Sequence, residues 1–564
     1  MVVASKGDLE NGIGGRKVLK KVFTTLTVTV LTAGVLAGCT DNESASSGSS
    51  SESKDGKVTI TTVRTLKDDT KFRDGEDLNN NPITRWSEKE LGITWKTLWT
   101  APNDEQYHNK IRLSLSSGQK LPDVFKVSDG QLISDLIRSG KVMPVDEAIE
   151  KYASPRLKKI FNQFPEAFYP ATVDGKRYGI PRFSGGNGSD SLLWIRKDWL
   201  DKLGLQPPKT IEDLEKIMDA FVNKDPDGNG KKDTIGLTLA SKNGLATWLA
   251  DGSFIFGAYG NYVPGSWSKG EDGSLVYGSV QPSMKKALEK LNEWYKKGYL
   301  DKEVGILDEQ TAIESFVSGK SGIISAPPWA ADWPITDALK NNPGAVVEPY
   351  PLPSGPDGKI GRRGEGLVTG MFLFSKDFKH MDKFFEYLDE AFAYVYNDSK
   401  YFKYGLAEGY DYVMKDGKPV YDDKEIPNGR LDPGAYFITE AIPTVPYMLY
   451  DLVEELYTTK REPKNAYEYT RIVSLGDSFM KAATIVNQQN QYRIENEFTG
   501  PPTKTMQKRF EFLTKMERET FANIIYGRAP LSAFDDFVKK WEESGGKEIT
   551  KEVNEWYQSV KGEK

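Results

Sequence analysis

The stretch LPDVFKVSDGQLISDLIRSGKVMPVDEAIEKY, Leu121–Tyr152, joins one strand pattern to two helical patterns. Its first part, Leu121–Val127, is short and apolar, which predicts a strand with an aspartate near its start. The remainder places apolar residues at helical spacing on both sides of a turn, which predicts a helix, a turn and a second helix. A strand followed directly by helices is the repeating unit of an α/β fold.

The same alternation continues on both sides of this stretch. KVTITTV (57–63), ITWKTL (93–98) and SLLWIR (191–196) have strand patterns. Thr210 is a predicted N-cap, and the apolar face of the helix that follows comprises Ile211, Leu214, Ile217, Met218 and Phe221. The remaining predicted helices are 103–118, 197–204, 282–298, 380–395 and 505–526. The pattern therefore predicts the α/β class with a mainly parallel sheet.

Length and composition exclude several classes of protein. The chain has 564 residues, which predicts two or more domains, and its net charge of −6 argues against a nucleic-acid binder. Its single cysteine, Cys39, excludes intrachain disulfides and cysteine-based zinc sites. His108 and His380 are the only histidines, and neither lies in a recognisable catalytic motif.

The N-terminus has the pattern of a secretory signal. A basic segment that contains Arg16, Lys17, Lys20 and Lys21 precedes the apolar residues 22–35 and then LAGC, 36–39. A transmembrane helix is the alternative, but the apolar run is short and rich in threonine. LAGC resembles a bacterial lipobox, which implies removal of residues 1–38 and attachment of lipid to Cys39. The Ser-rich residues 39–56 are then a flexible tether.

Residues 225–233 have alternating oxygen-bearing side chains. Numbered as an EF-hand loop, positions 1, 3, 5, 7 and 9 are Asp225, Asp227, Asn229, Lys231 and Asp233. Gly230 occupies position 6, where the loop turns sharply, and position 7 contributes a backbone carbonyl. Position 12 is Gly236 instead of the bidentate glutamate. We expect a structural calcium ion here, with a simple polar turn as the alternative.

Aromatic residues make up 12% of the chain, and some of them cluster beside polar groups. Flat rings next to charged or amide groups are typical of sugar sites, because sugars combine apolar ring faces with hydroxyls. The candidate residues are Trp194 with Arg196, Trp329 with Trp333, and Tyr447 with Tyr450. Core packing is the alternative for each ring. The segment GRRGEG, 361–366, suggests either an anion cradle or a flexible surface loop.

Taken together, these segments resemble a family. The chain is similar to extracellular solute-binding lipoproteins of bacterial ABC importers, of the large oligosaccharide-binding type that includes alginate-binding proteins. The segments that match, in family order, are LAGC, Leu121–Ala153, DGKRYGIPR (174–182), 193–221, the loop 225–233, FVSGKSGIISAPPW (316–329), FKYGLAEGYDY (402–412), EFTGPPT (497–503) and ITKEVNEWYQ (549–558).

This resemblance implies a two-lobed fold of type II with discontinuous lobes joined by a hinge. Lobe one is expected at 57–182 and 328–435, and lobe two at 183–327 and 436–564. The similar alginate-binding proteins hold calcium in the matching loop, with a glutamate where this chain has Thr234. The ligand is expected in the cleft between the lobes, with Asp123, Trp194, Arg196, Trp329 and Trp333 at or near strand ends.

The expected function is capture of a solute outside the cell, without catalysis. Trp329 and Trp333 would stack on an oligosaccharide, while Asp123, Arg182 and Arg196 would take polar groups, and Tyr447 is a further candidate. The protein would be a monomer, anchored by lipid to the outer face of the cell membrane, and would deliver the sugar to an ABC permease. A peptide receptor and a secreted glycoside hydrolase or polysaccharide lyase are the alternatives.

Overall fold

The structure is a computed structural model that describes residues 57–67 and 70–561. The signal segment 1–38, Cys39 and the tether 39–56 lie outside these residues. Within the described residues, no helix is both long and apolar enough to cross a membrane. The α-helices are α1 Pro82–Trp86, α2 Asp104–Ser116, α3 Gly130–Arg138, α4 Asp146–Tyr152, α5 Pro155–Gln163, α6 Lys197–Leu203, α7 Ile211–Asn223, α8 Ser253–Gly257, α9 Ser283–Lys296, α10 Glu309–Ala312, α11 Glu314–Val317, α12 Ile335–Asn341, α13 Met381–Val395, α14 Met448–Thr459, α15 Ala466–Ile472, α16 Asp477–Gln488, α17 Met506–Ile525, α18 Ala533–Trp541 and α19 Lys547–Lys561.

The strands are short, and most belong to small sheets. They are β1 Val58–Thr65, β2 Ile93–Ala101, β3 Val124–Val127, β4 Thr172–Val173, β5 Lys176–Arg177, β6 Gly179–Phe183, β7 Leu192–Arg196, β8 Trp267–Lys269, β9 Leu275–Tyr277, β10 Ile323–Ala326, β11 Val347–Tyr350, β12 Arg362–Arg363, β13 Val368–Phe374, β14 Val413–Lys415, β15 Lys418–Val420 and β16 Arg493–Ile494. The opening stretch is confirmed, because β3 is followed by α3 and α4.

The predicted helix after Thr210 is also confirmed. The Thr210 hydroxyl accepts a hydrogen bond from the backbone N–H of Asp213 at 3.2 Å, which caps α7. All five predicted apolar residues of this helix are buried. They pack in the core of the second lobe, so the cap and the apolar stripe together determine where the helix starts and which face it buries.

The prediction of a mainly parallel sheet is wrong for the central sheets. Strand β13 pairs antiparallel with both β3 and β6, and β7 pairs antiparallel with both β10 and β11. Only β1–β2 and β12–β16 are parallel pairs among the named strands of the described chain. The reason is that β13 and β10 enter their sheets from distant parts of the chain, and a strand pattern does not encode its partner.

The chain forms two lobes with separate cores. The first buries side chains from 58–183 and 371–445, together with Ala466 and Tyr467 of α15; the second buries side chains from 192–352, 449–453 and 475–560. The chain therefore passes between the lobes at 184–191, 361–367 and 443–447, which we call the three crossovers. An α/β fold of two discontinuous lobes agrees with the expected type II architecture.

The packing differs from the expected division at two places. Residues 328–360, expected in lobe one, belong to lobe two, because β11 extends the sheet around β7 and Ile335 packs on the same core as Trp194. Residues 436–445, expected in lobe two, pack on lobe one through Phe437 and Ile442. The chain thus passes from lobe two back to lobe one after β11, and not before it.

Candidate functional site

A group of charged residues, which we call the hinge knot, joins the crossovers. It comprises Asp190, Arg362, Glu365 and Arg493. The side chains of Asp190 and Arg362 are fully buried, with Nη2 of Arg362 3.0 Å from Oδ2 of Asp190. Arg493 donates from Nε to the same oxygen at 2.8 Å, and the backbone N–H of Glu365 donates to Oδ1 at 2.8 Å. Two guanidinium groups and an amide thus satisfy one buried carboxylate.

Arg493 contacts each of the three crossovers. Its guanidinium donates to the backbone oxygen of Gly186 in the first, to that of Glu365 in the second at 2.7 Å, and to the hydroxyl of Tyr447 at the end of the third. Tyr447, predicted to bind ligand, is therefore a residue of the hinge. Gly186 has no room for a side chain, because a Cβ there would lie 2.8 Å from the Tyr447 ring.

The segment 361–366 is neither the anion cradle nor the flexible loop considered from the sequence. Arg362 donates to Asp190 and to the backbone oxygens of Gln489 and Val486. Arg363 donates from Nη2 to the backbone oxygen of Thr247 at 3.1 Å. Both guanidinium groups have protein partners, so the two arginines hold the second crossover in place. The neighbouring Glu365 carboxylate accepts from the N–H of Ser189 at 2.8 Å, and burial raises its pKa.

Two adjoining cavities lie between the lobes. One, of about 480 Å³, is lined from lobe one by Ser128, Asp129 and residues 366–371, and from lobe two by Phe498 and Thr499. The other, of about 670 Å³, adds Trp267, Asn496, Met506, Gln507 and Phe510, and shares Gln131, Phe498, Gly500 and Pro502 with the first. Aromatic rings and carboxamides in one concave space at a lobe interface fit a polyhydroxylated ligand.

The lobes also contact each other in the wall of these cavities. Nε2 of Gln507 donates to Oε1 of Gln131 across the interface at 2.8 Å. Near them, the ring of Tyr169 in lobe one meets the ring of Trp556 in lobe two edge to face, with centroids 6.2 Å apart. Polar and aromatic groups therefore close one side of the interlobe space.

Three tryptophans of lobe two form a second feature, which we call the tryptophan stack. The ring of Trp248 lies nearly parallel to those of Trp329 and Trp333, with centroids 5.9 and 6.4 Å apart and interplanar angles of 24° and 20°. Trp329 and Trp333 follow β10, whose last residue pairs with Leu192, the first residue of β7 after a crossover. The stack therefore lies at the hinge end of the lobe-two sheet. It contributes no side chain to the interlobe cavities.

Three of the predicted ligand-binding residues have structural partners instead. Asp123 is buried and accepts from the N–H and the hydroxyl of Thr61 at 2.9 and 2.7 Å, which joins β1 to β3. Trp194 has no exposed surface and lies in the core of lobe two. Arg196 pairs with Asp198 at 2.6 Å and covers the ring of Trp199. Asp123 directly precedes β3 and Arg196 ends β7, but Trp194 is the middle residue of β7 and does not lie at a strand end as predicted.

Arg182 remains at the cleft side of lobe one. It donates to the backbone oxygen of Thr439 at 2.6 Å and to the hydroxyl of Thr369, and it lines a cavity of about 190 Å³. Asp129, Gln131 and Phe498 line the interlobe cavities but were not among the residues predicted from the sequence. Asp129 caps α3, accepting from the N–H of Leu132 at 2.7 Å, so the N-cap signal directly after a strand could have located this edge of the cleft.

The acidic loop, residues 225–233, folds around its own carboxylates. Asp225 accepts from the backbone N–H groups of Asn229 and Gly230 at 3.1 Å each, and the Asn229 amide donates to Asp227 at 2.6 Å and to Asp233 at 3.2 Å. Burial and the negative charges of Asp225 and Asp233 raise the pKa of Asp227. Among the described residues, no three acidic, histidine or cysteine side chains are arranged to hold a metal by themselves.

The departures of this loop from the EF-hand pattern have physical causes. A Cβ at Gly236 would lie 2.7 Å from Cβ of Met218, so position 12 has no room for a glutamate. Thr234 is buried and donates from its hydroxyl to the backbone oxygen of Phe221 at 2.7 Å, which ties the loop to the end of α7. The loop therefore fastens α7 to the following chain.

Comparison with known proteins assigns a family. A family of proteins described as bacterial extracellular solute-binding proteins matches residues 78–395. The fructooligosaccharide ABC transporter substrate-binding protein FusA of Streptococcus pneumoniae serotype 4 is 32% identical over 56% of this chain, and the match spans 59% of that protein's length. Two Bacillus subtilis proteins, lipoprotein LipO and the polygalacturonan/rhamnogalacturonan-binding protein YtcQ, are each 25% identical over 94% of this chain and 97% of their own.

Solved structures share the fold. The alginate-binding protein AlgQ2, in a structure without calcium ion, aligns with a TM-score of 0.57 and 19% identity over 89% of this chain and 98% of that one. An EF-hand mutant of S. pneumoniae FusA in complex with fructo-nystose aligns with a TM-score of 0.57 and 22% identity over 90% of this chain and 100% of that one.

Proposed function

Because the chain belongs to the family of bacterial extracellular solute-binding proteins, we propose that it captures an oligosaccharide between its lobes and delivers it to an ABC permease. The family consists of binding components of importers, so the protein is a receptor and not an enzyme. The permease needs only to recognise the loaded receptor, and closure of two lobes around a ligand is a hinge motion that creates such a state.

The observation that carries the proposal is the pair of interlobe cavities. Phe498 and Phe510 offer ring faces, and Gln131, Asn496 and Gln507 offer donors and acceptors for hydroxyls. Asp129 adds a carboxylate from lobe one. Sugar-binding relatives agree with this chemistry, since FusA is named for fructooligosaccharides and YtcQ for polygalacturonan and rhamnogalacturonan.

Calorimetry with a defined panel tests the proposal. The panel contains kestose, maltotriose, trigalacturonate and arabinotriose, the corresponding monosaccharides as controls, and a pentapeptide mixture. We expect saturable binding of at least one oligosaccharide and weaker binding of its monosaccharide. Saturable binding of peptides with no response to any sugar would overturn the proposal.

We propose further that the acidic loop holds a structural calcium ion. Asp225, Asp227 and Asp233 would supply carboxylate oxygens, Asn229 an amide oxygen and Lys231 its backbone carbonyl, which are ligands that calcium prefers. The Asn229 amide already faces two of the carboxylates, and turning it by half a rotation would direct its oxygen inward. The ion would neutralise the clustered charges and stiffen the connection after α7.

Attachment through Cys39 is the third part of the proposal. The lipobox-like LAGC and the Ser-rich residues 39–56 support a receptor held at the membrane by lipid, with lobes free above the bilayer. In the native host, a Cys39→Ser variant should move from the membrane fraction to the culture medium. Retention of that variant in the membrane would contradict lipid anchoring.

A further inference from the structure

The polar lining of the two interlobe cavities consists of uncharged groups and a single carboxylate. The uncharged groups are three carboxamides and three hydroxyls, those of Gln131, Asn496, Gln507, Ser128, Thr369 and Thr499. Asp129 supplies the carboxylate. Among the residues that the structure describes, no lysine, arginine or histidine lines either cavity. A ligand between the lobes therefore meets groups that suit hydroxyls, together with one negative charge.

The Asp129 carboxylate is fixed in position and ionised. Its Oδ1 accepts from the backbone N–H of Leu132 at 2.7 Å, and its Oδ2 accepts from Nη2 of Arg112 at 2.7 Å. Burial opposes ionisation, but these two donors outweigh burial and hold the pKa of Asp129 below its usual value. The side chain keeps 32% of its surface exposed. Because a carboxylate has about four acceptor sites, Asp129 can still accept hydrogen bonds from a ligand.

Two cations border the cavities, and each is paired with a carboxylate. Arg112 is held by Asp129, as described. Lys269 follows the lining residue Trp267 by two positions, and its Nζ lies 2.7 Å from Oε1 of Glu497. The backbone N–H of Glu497 donates to the backbone oxygen of Trp267 at 2.8 Å, which keeps this carboxylate beside the cavity wall. An anionic ligand would have to compete with Asp129 and Glu497 for the two cations.

We propose that the cleft selects an uncharged oligosaccharide over one that carries carboxylates, and that Asp129 is the residue that discriminates between them. The proposal deepens the oligosaccharide function and rests on it. A sugar hydroxyl can donate to the Asp129 carboxylate in a charge-assisted hydrogen bond. A uronate group offers only acceptors and would bring a second negative charge into the same confined space, where like charges repel strongly.

Calorimetry of the wild type tests the selectivity with kestose, maltotriose, arabinotriose and trigalacturonate. We expect the tightest ligand to be one of the three neutral sugars, with a Kd at least about tenfold below that of trigalacturonate. Binding of trigalacturonate as tight as that of the best neutral sugar, or tighter, would overturn the selectivity. Failure of all four sugars to bind would overturn the proposed function itself, which is a distinct result.

An Asp129→Asn variant tests the assignment to this residue. Asparagine also caps helices, so α3 should keep its N-cap, and thermal melting checks that the fold is intact. The change removes the negative charge and releases the Arg112 guanidinium, which can then pair with a ligand carboxylate. We expect the ratio of the trigalacturonate Kd to the Kd of the best neutral sugar to fall about tenfold or more. A ratio equal to that of the wild type would overturn the role of Asp129.

The matched control is Asp308→Asn, which changes the net charge equally. Asp308 is the N-cap of α10, where it accepts from the N–H of Thr311 at 3.0 Å, and it pairs with Lys242 at 2.9 Å. It lines neither interlobe cavity. The ratio of the two Kd values should therefore stay at its wild-type value. An equal fall of the ratio in both variants would show an effect of overall charge and would also overturn the role of Asp129.

Discussion

The hinge knot and the acidic loop both gather carboxylates, but they neutralise them differently. In the knot, two arginines and a backbone N–H surround the fully buried Asp190. In the loop, Asp225, Asp227 and Asp233 lie at the surface with backbone N–H groups and the Asn229 amide as donors. The knot is complete within the chain, whereas the loop has more negative charge than its own donors neutralise.

This difference assigns different roles to the two regions. A buried carboxylate is tolerated only when charged partners and hydrogen bonds replace water, and the knot supplies both at the point where the lobes join. Exposed carboxylates that repel one another can bind a cation from the medium. Calcium-binding loops usually work in this way. The knot should therefore be sensitive to substitution and the loop to chelation.

The largest expected effect is the loss of stability when the Asp190 carboxylate is removed from the hinge knot. Asp190→Ala leaves Arg362 and Arg493 buried without their carboxylate, so we expect the free energy of unfolding to fall by about 3–5 kcal/mol. Urea denaturation followed by circular dichroism measures this loss. Glu519→Ala is the control, since it removes an exposed pair with Lys515 at 3.8 Å and should cost less than about 1 kcal/mol. Equal losses in the two variants would contradict the role of the knot.

Removal of calcium should have the next largest effect. At a calcium concentration one hundred times Kd, binding stabilises the native state by about 2.7 kcal/mol, so a chelator should lower the melting temperature by several degrees. Asp225→Ala should abolish the difference between chelated and calcium-loaded protein. Asp272→Ala should preserve it, because Asp272 caps a turn by accepting from the N–H of Ser274, away from the acidic loop. Identical melting temperatures of the wild type with and without chelator would show that the loop is only a polar turn.

A third carboxyl group is neither paired with a cation nor exposed. Glu517 lies buried in lobe two and accepts from the Tyr277 hydroxyl at 2.9 Å; burial raises its pKa to about 7. The folded protein therefore binds an extra proton between about pH 4.5 and pH 7, and stability from this group falls as the pH rises through that window.

The smallest expected effect comes from the buried carboxyl group of Glu517. Glu517→Gln should reduce the fall in unfolding free energy between pH 5 and pH 8 by about 2 kcal/mol. Part of the fall should persist, because burial also raises the pKa of Asp411 to about 6. Glu511→Gln, an exposed change on the same helix, is the control and should leave the pH profile unchanged. A Glu517→Gln profile that matches the wild type would show that the buried carboxyl does not titrate in this range.

Local patterns predicted the elements well, because caps and apolar spacing act within a few residues. Thr210, the face of α7 and the β3–α3–α4 stretch all follow from such signals. Partners across the fold could not be predicted in this way. Trp194 and Arg196 share one strand, yet both side chains find partners within lobe two instead of facing the cleft.

The candidate site depended still more on contacts between distant segments. Trp248 lies 81 positions before Trp329 in the printed sequence, and only the fold brings the two rings together. Arg493 joins three crossovers that are far apart along the chain. The segment 361–366 contains two arginines, which could belong to a charged binding site. Their partners, the Asp190 carboxylate and the backbone oxygen of Thr247, show that both arginines hold the second crossover in place.

The central claim is that an oligosaccharide is held between the lobes beside the hinge. A crystal structure of the protein grown with the sugar of the panel that gives the tightest isotherm tests it most directly. We expect difference density in contact with lining residues of both lobes, including Asp129 or Gln131 and Phe498. Density confined to the outer surface of one lobe, with the interlobe cavities filled only by water, would contradict the claim.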